Sequence, residues 1–207
     1  MKTFKFLLVA LLMAGTLAFK GAEKAQITTF MVDTEQSEIK WNGKKVTGEH
    51  FGNINLASGS LIWNNDQISG GEFVIDMSSI TCSDLTDAGT NAKLVNHLKS
   101  DDFFGVEKFP NAKFVITSIN KDQDDTYNVT GDLTIKENTN EISFPAQINM
   151  QDKKLNATAN ITIDRSKYDV RYGSGSFFDN LGDKMIYDDF TLDLNLVASV
   201  PSESASK

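Results

Sequence analysis

Two histidines and one cysteine are the residues of this chain whose chemistry could reach beyond packing, and their spacing limits what they can do. His50 and His97 stand far apart, with no Cys, Asp or Glu array around either at metal-ligand spacing, so no metal site is expected. Cys82 is the only cysteine and cannot form an intramolecular disulfide. Its expected place is that of a small, partly buried hydrophobe; the alternatives are a reactive thiol or an intermolecular bridge. Asp122, Gln123, Asp124 and Asp125 look like part of a calcium loop, but the turn glycine and the distal glutamate are missing, which leaves a solvated turn. Gly173, Ser174, Gly175 and Ser176 are not followed by a Lys-Ser/Thr pair, so they do not read as a phosphate cradle. No serine sits in a nucleophile elbow, and the acidic residues are scattered along polar faces rather than paired in an apolar setting. No catalytic residue and no cofactor are assigned, and the chain is not expected to be an enzyme.

One constellation does point to binding. Arg165, Arg171 and Lys184 flank residues 168–187, where Phe177 and Phe178 sit among glycines. Either this is a long loop pinned by two aromatic anchors, or the cations meet a polar or anionic headgroup at a mouth while the phenylalanines cover a tail.

The elements that must position these residues are strands. Leu155, Ala157, Ala159, Ile161 and Ile163 alternate with Asn156, Thr158, Asn160, Thr162 and Asp164, which puts an oily face and a wet face on one strand. Phe190, Leu192, Leu194, Leu196 and Ala198 repeat the pattern, as do Ile142, Phe144, Ala146, Ile148 and Met150, and Tyr127, Val129, Gly131, Leu133 and Ile135. Polar joints at 121–125, 136–140 and 151–154 make residues 111–164 a four-stranded meander. Further strand is expected at 37–41, at 46–61 with bends at Gly48, Gly52 and Gly59, and at 71–77. Only residues 91–99 read as helix, with Leu94, Val95 and Leu98 on one face and Thr90 or Asn91 as cap. The fold class is therefore all-β: an antiparallel barrel of eight strands with a short helix in the 91–99 insertion, lying across a barrel end.

At the amino terminus Lys2 and Lys5 precede an apolar run of about 14 residues, from Phe6 to Phe19, short of the ~20 a spanning helix needs. Residues 1–18 read as a signal peptide cleaved after Ala18, with Ala22 or Ala25 as secondary sites, and residues 19–29 as a tail. The mature protein is expected to be periplasmic or secreted. Losing Lys2 and Lys5 takes the formal charge from −8 to −10, which repels nucleic acid and anionic lipid headgroups. Alternation alone does not say which way the oily faces point, because outer-membrane barrels turn them outward. The long non-β insertion, the polar tail at 199–207 and the Asn-, Thr- and Asp-rich faces favour an inward apolar face and no stable membrane insertion.

A barrel of this size is either filled by its own side chains or holds one small ligand. A hydrocarbon tail losing on the order of 500 Å² of apolar surface would gain roughly 12 kcal/mol before association costs, so such a pocket needs no sharp polar motif.

The sequence also resembles a known family. Residues 37–41 (Ser-Glu-Ile-Lys-Trp), 45–50 (Lys-Val-Thr-Gly-Glu-His), the run from His97 through Phe103 and Phe104 to Pro110 and Phe114, and residues 127–134 are similar to the YceI-like, polyisoprenoid-binding, lipocalin-like family over about residues 30–198. Gly105 stands where many members carry Asp. The resemblance implies an eight-stranded barrel with a hydrophobic channel in an exported bacterial protein that holds a polyisoprenoid-like or fatty amphiphile. The expected ligand-binding residues are Phe73, Ile75, Phe114, Ile116, Leu133, Ile135, Phe144, Ile148, Ile161, Ile163, Phe190, Leu192 and Leu194, with Phe177, Phe178, His97 and Arg171 at the mouth. The competing readings are a filled-core structural or stress-response interaction protein and an enzyme using the barrel mouth. A homodimer is compatible with the fold, though no residue pattern requires it.

Overall fold

The computed structural model describes residues 27–65, 67–151 and 153–201; the expected signal peptide lies outside them. The strands are β1 (Ile27–Val32), β2 (Glu38–Lys45), β3 (Gly48–Asn64), β4 (Gln67–Asp76), β5 (Asn111–Lys121), β6 (Thr126–Ile135), β7 (Asn138–Gln151), β8 (Lys154–Asp164) and β9 (Ile186–Ser199), with one helix, α1 (Ala88–Lys99).

These nine segments fill eight places. β2 lies between the first half of β3 and the first part of β9, while β1 pairs with the last residues of β3 and of β9. β1 and β2 thus follow one another in a single slot, joined by a turn in which the Asp33 carboxylate accepts from the Glu35 and Gln36 amides. The pairing of β3 with β4 completes the ring, so the chain forms a closed eight-stranded antiparallel barrel with one short helix.

The expected meander is present from β5 to β8. The β6–β7 joint is tighter than the polar stretch suggested: only Lys136 and Glu137 turn, both at positive φ (49° and 64°), and β7 begins at Asn138. β1 begins at Ile27, within the stretch read as a tail, and β9 runs to Ser199, the first residue of the expected polar terminus. The helix starts earlier than expected, at Ala88, because the Asp87 side chain caps it by accepting from the Thr90 amide.

The apolar faces point inward. Along β8, Leu155, Ala157, Ile161 and Ile163 are buried while Asn156, Thr158, Asn160 and Thr162 are exposed. One end is sealed by Phe30, Ile68, Leu155 and Ala198, the last two fully buried and paired across β8 and β9. Among the described residues no helix is long and apolar enough to cross a membrane.

Two glycines are required by close approach. At Gly131 a Cβ would lie 2.6 Å from the Phe114 ring and 2.4 Å from the Val115 carbonyl oxygen, opposite a register shift between Ile116 and Ser118. The missing side chain lets Phe114 lie flat inside the barrel as β5 bends. At Gly52 a Cβ would meet the Thr81 carbonyl oxygen at 1.9 Å.

That second contact belongs to a strap. Where β4 leaves the edge of β3, residues 79–84 take its place: the Thr81 and Ser83 amides donate to the Asn53 and Phe51 carbonyls. In return, side chains stand in for missing backbone acceptors, with Ser79 Oγ, Thr81 Oγ1 and Asp84 Oδ1 accepting from the Asn55, Asn53 and Phe51 amides. The other Asp84 oxygen lies 2.7 Å from His50 Nδ1, and the Cys82 thiol donates to Oδ1 at 3.2 Å. Burial alone would raise the Asp84 carboxyl, but the hydrogen bonds from His50, Phe51 and Cys82 outweigh it and hold it at about 2, below its ordinary 3.8.

Two outcomes follow from these contacts. Gly131→Ala forces Phe114 or the β5 backbone to move and is expected to lose about 1–3 kcal/mol in urea denaturation, whereas Gly43→Ala, whose Cβ meets nothing nearer than 3.9 Å, is tolerated. Because the folded Asp84 carboxyl titrates below the unfolded one, the stability it contributes is complete above about pH 4 and is lost as pH falls towards 2. Asp84→Asn should be less stable at pH 7 by about 2 kcal/mol, with a shallower acid limb between pH 4 and 2 in urea melts; an unchanged acid limb would contradict this assignment.

Candidate hydrophobic channel

Inside the ring lie two adjoining cavities that share part of their lining. The upper one, about 180 Å³, reaches from the middle of the barrel to the end covered by α1 and is lined by Trp41, Ile54, Met77, Leu94, Leu98, Phe103, Phe104, Ala112, Ile135, Ile186 and Phe190, among others. The lower one, about 110 Å³, runs towards the sealed end between Leu56, Leu61, Phe73, Phe114, Ile116, Ile119, Val129, Ile142, Phe144, Ile148, Ile161, Leu194 and Leu196. Ile39, Ile75, Leu133, Ile163 and Leu192 border both. An apolar cavity of ~150 Å³ stays dry and takes up small hydrocarbons, so this interior has room for a guest.

The polar groups that touch the channel are gathered at one end. Lys44, Lys45, His50, Arg165 and Tyr187 line the upper cavity, and every residue lining the lower one is apolar. Lys44 and Lys45 are exposed at the rim, where Lys44 lies 3.8 Å from Glu49.

Arg165 is different, because its side chain is only 4% exposed. It extends the inward alternation of Ile161 and Ile163 by one step past β8 and organises the loop that follows. Its guanidinium donates to the carbonyls of Val170 at 2.7 Å, Tyr187 at 3.1 Å and Ile186 at 3.1 Å, and lies 5.8 Å from the centre of the Phe103 ring. Asp188 Oδ1 is 3.4 Å from Nη2, an electrostatic contact without hydrogen-bond alignment. Burial pulls the guanidinium below its ordinary value, and the Asp188 and Asp164 carboxylates oppose that shift only in part. An arginine keeps its charge even so.

Helix α1 lies over this end, with Leu94 and Leu98, one turn apart, facing the cavity. No residue of the helix is buried. Asn91 ties its first turn to the strap by donating to the Cys82 and Leu85 carbonyls.

The strand residues expected at the site converge as a lining: Phe73, Ile75, Phe114, Ile116, Leu133, Ile135, Phe144, Ile148, Ile161, Ile163, Phe190, Leu192 and Leu194 all border one or both cavities. The four expected at the mouth do not. Phe177 and Phe178 are 40% and 50% exposed, and Arg171 stacks on Phe177 at 5.0 Å while pairing with Asp169. The loop is anchored instead by Tyr168, Val170 and Ser174, all nearly or fully buried. Period-two reasoning has no purchase on that irregular segment, where only the anchors, and not the glycine-flanked aromatics, turn inward. His97 faces sideways off α1, edge-on to Phe103 at 5.0 Å and to Tyr172 at 4.5 Å, because it sits one residue away from the face that carries Leu94 and Leu98.

Several lining residues escaped the sequence reading although their signals were present. Ile39, Trp41 and Gly43 alternate along β2, whereas Arg165, named from the sequence as a cation at a mouth, lines the upper cavity and continues the β8 alternation. Met77 continues the alternation of Phe73 and Ile75, whereas Lys44, Lys45, Phe103 and Phe104 come together only through folding.

The group formed by Cys82, Asp84 and His50 at the rim is not an activated nucleophile. Its carboxylate sits between thiol and imidazole, and burial, aided by Asp84, pushes the thiol up.

The YceI-like domain model matches residues 30–198. A UPF0312 protein of Pseudomonas putida (strain F1) is 29% identical over 148 residues, 70% of this chain and 73% of that protein. A UPF0312 protein of Staphylococcus aureus (strain USA300) is 37% identical over a shorter stretch of 84 residues, 37% of this chain and 46% of that protein. Among solved structures, Burkholderia cenocepacia BcnA superposes with a TM-score of 0.67 at 23% identity, covering 81% of this chain and 99% of its own. A polyisoprenoid-binding domain from Saccharophagus degradans superposes with a TM-score of 0.60 at 12% identity, covering 84% and 99%. At such identities the superpositions carry the fold alone, but the family match spans the ring from β1 to β9, and the protein belongs to the YceI-like domain family.

Proposed function

We propose that this protein holds the hydrocarbon tail of a polyisoprenoid-like or fatty amphiphile inside its barrel, as an exported carrier or sequestering protein and not as an enzyme. The observation that carries the reading is the pair of adjoining apolar cavities, with five lining residues in common, that lie between a cation-bearing mouth and a wholly apolar end. A tail in the lower cavity leaves water without stranding any polar group. The ligand's polar end then rests near Lys44, Lys45 and Arg165. The unfilled interior weighs against a solid structural core. The polyisoprenoid-binding description of the Saccharophagus domain, which shares the fold, is in keeping with the proposal, and the leader-like residues 1–18 support a periplasmic or secreted location.

Mass spectrometry of organic extracts, on full-length protein expressed and recovered from a bacterial host, tests this reading together with displacement of a fluorescent fatty-acid probe. A co-purifying long-chain amphiphile is expected. Leu192→Asp, which sets an unpaired carboxylate against the channel, should weaken probe binding by about 100-fold, since a buried charge without a partner costs several kcal/mol. An empty extract with no uptake of the probe would overturn the proposal.

A further inference from the structure

We propose that the five aliphatic side chains shared by the two cavities, Ile39, Ile75, Leu133, Ile163 and Leu192, form a waist that passes one hydrocarbon tail and excludes two, making the protein selective for single-chain amphiphiles long enough to thread it. This rests on the reading of the channel as a lipid site and deepens it by naming the class of lipid.

The five come from β2, β4, β6, β8 and β9, so they stand around most of the ring rather than on one wall. Three are isoleucines, whose branched Cβ restricts χ1, and their backbones are fixed in hydrogen-bonded ladders. A rotamer hop therefore does not open the waist readily. Ile39, Leu133 and Ile163 are themselves buried, at 6%, 6% and 3% exposure. The cavities on either side are small, about 180 and 110 Å³, and a two-tailed lipid would have to force both chains past the same ring. Overpacking a closed barrel in that way strains every strand at once.

Charge sets the direction of entry. Lys44, Lys45, His50 and Arg165 line the cavity above the waist, and every residue lining the cavity below it is apolar. A headgroup pushed through would find no partner, so only a tail crosses.

The register of the strands also gives a length scale. From Lys45 to Ile39 is six residues, about 20 Å along β2 or about 15 Å along an axis from which strands tilt by ~40°. From Leu133 to Val129 adds four residues, about 13 Å along β6 or about 10 Å along the axis. An extended chain advances about 1.25 Å per methylene when its bonds are about 1.5 Å long. Tails up to about 12 carbons therefore occupy the upper cavity alone, and tails up to about 20 carbons gain contacts below the waist, on the same scale.

The test is a displacement series on the full chain with fatty acids of 10, 16 and 20 carbons, and with lysophosphatidylcholine against dipalmitoyl phosphatidylcholine. Affinity should rise by up to about four-fold per methylene through 16 carbons, flatten near 20, and favour the single-chain over the two-chain phospholipid by at least about ten-fold, a difference of about 1.4 kcal/mol. Leu133→Phe narrows the waist: it should reduce the affinity for the 16-carbon acid to near that for the 10-carbon acid, while an unchanged far-ultraviolet circular dichroism spectrum and a cooperative urea melt report that the variant is folded. Leu133→Ala, which widens it, should raise the relative affinity for the two-chain lipid. Equal binding of one- and two-chain phospholipids by the native protein, or an equal loss for short and long acids in Leu133→Phe, would overturn the waist while leaving the lipid site standing. Failure of every acid and phospholipid to bind would remove both readings.

Discussion

Closing eight strands into a ring fixes the width of what lies inside, and the rest of this structure follows from that constraint. Each strand must turn alternate side chains inward, and the inward set here is almost wholly aliphatic and aromatic. Protein interiors normally pack to the density of organic crystals, yet this one leaves space along its axis. The ladders hold the walls apart and the side chains do not span the gap. An apolar void enclosed in this way offers water no partners, and a hydrocarbon chain is the guest its chemistry suits.

The covered end answers a different problem. An open barrel mouth must be roofed without a complete core of its own, and the chain does so with long-range polar ties. Arg165 gathers three carbonyls from the loop that follows β8 and from the start of β9, and the Asp84 carboxylate clamps the strap to β3. Removing a buried donor of this kind leaves its acceptors unsatisfied, which costs more than the net worth of the bonds. Between these two fixed points α1 contributes Leu94 and Leu98 to the channel while burying no residue completely. The roof is thus rigid at its edges and thin at its centre.

Much of the fold was legible because a strand with one oily face writes its geometry into every second residue. The meander from β5 to β8 and the outer half of β9 could be placed from alternation and polar joints, and with them eleven of the side chains that border the cavities, Phe73 and Ile75 coming from β4. The slot shared by β1 and β2 was not legible, because it exists only in the pairing of both with β3 and β9. The mouth was less legible for a related reason: Phe177 and Phe178 are conspicuous in sequence, but nothing periodic orients them, and they stand outside the lining, to which α1, the 103–104 turn, the β2–β3 hairpin and Arg165 contribute. Asp87 was a readable cap three residues ahead of Thr90, although Gly89 weakens the helical signal around it.

A barrel that holds a hydrocarbon tail must have an axis that is open and oily. A crystal of the delipidated protein under xenon pressure measures this directly, since xenon enters apolar cavities and avoids hydrated ones. Xenon density on both sides of Leu133, with no ordered water beside it, is the expected result. An interior with no xenon, or one occupied by hydrogen-bonded water, would contradict the account and leave a packed or wet β-scaffold in its place.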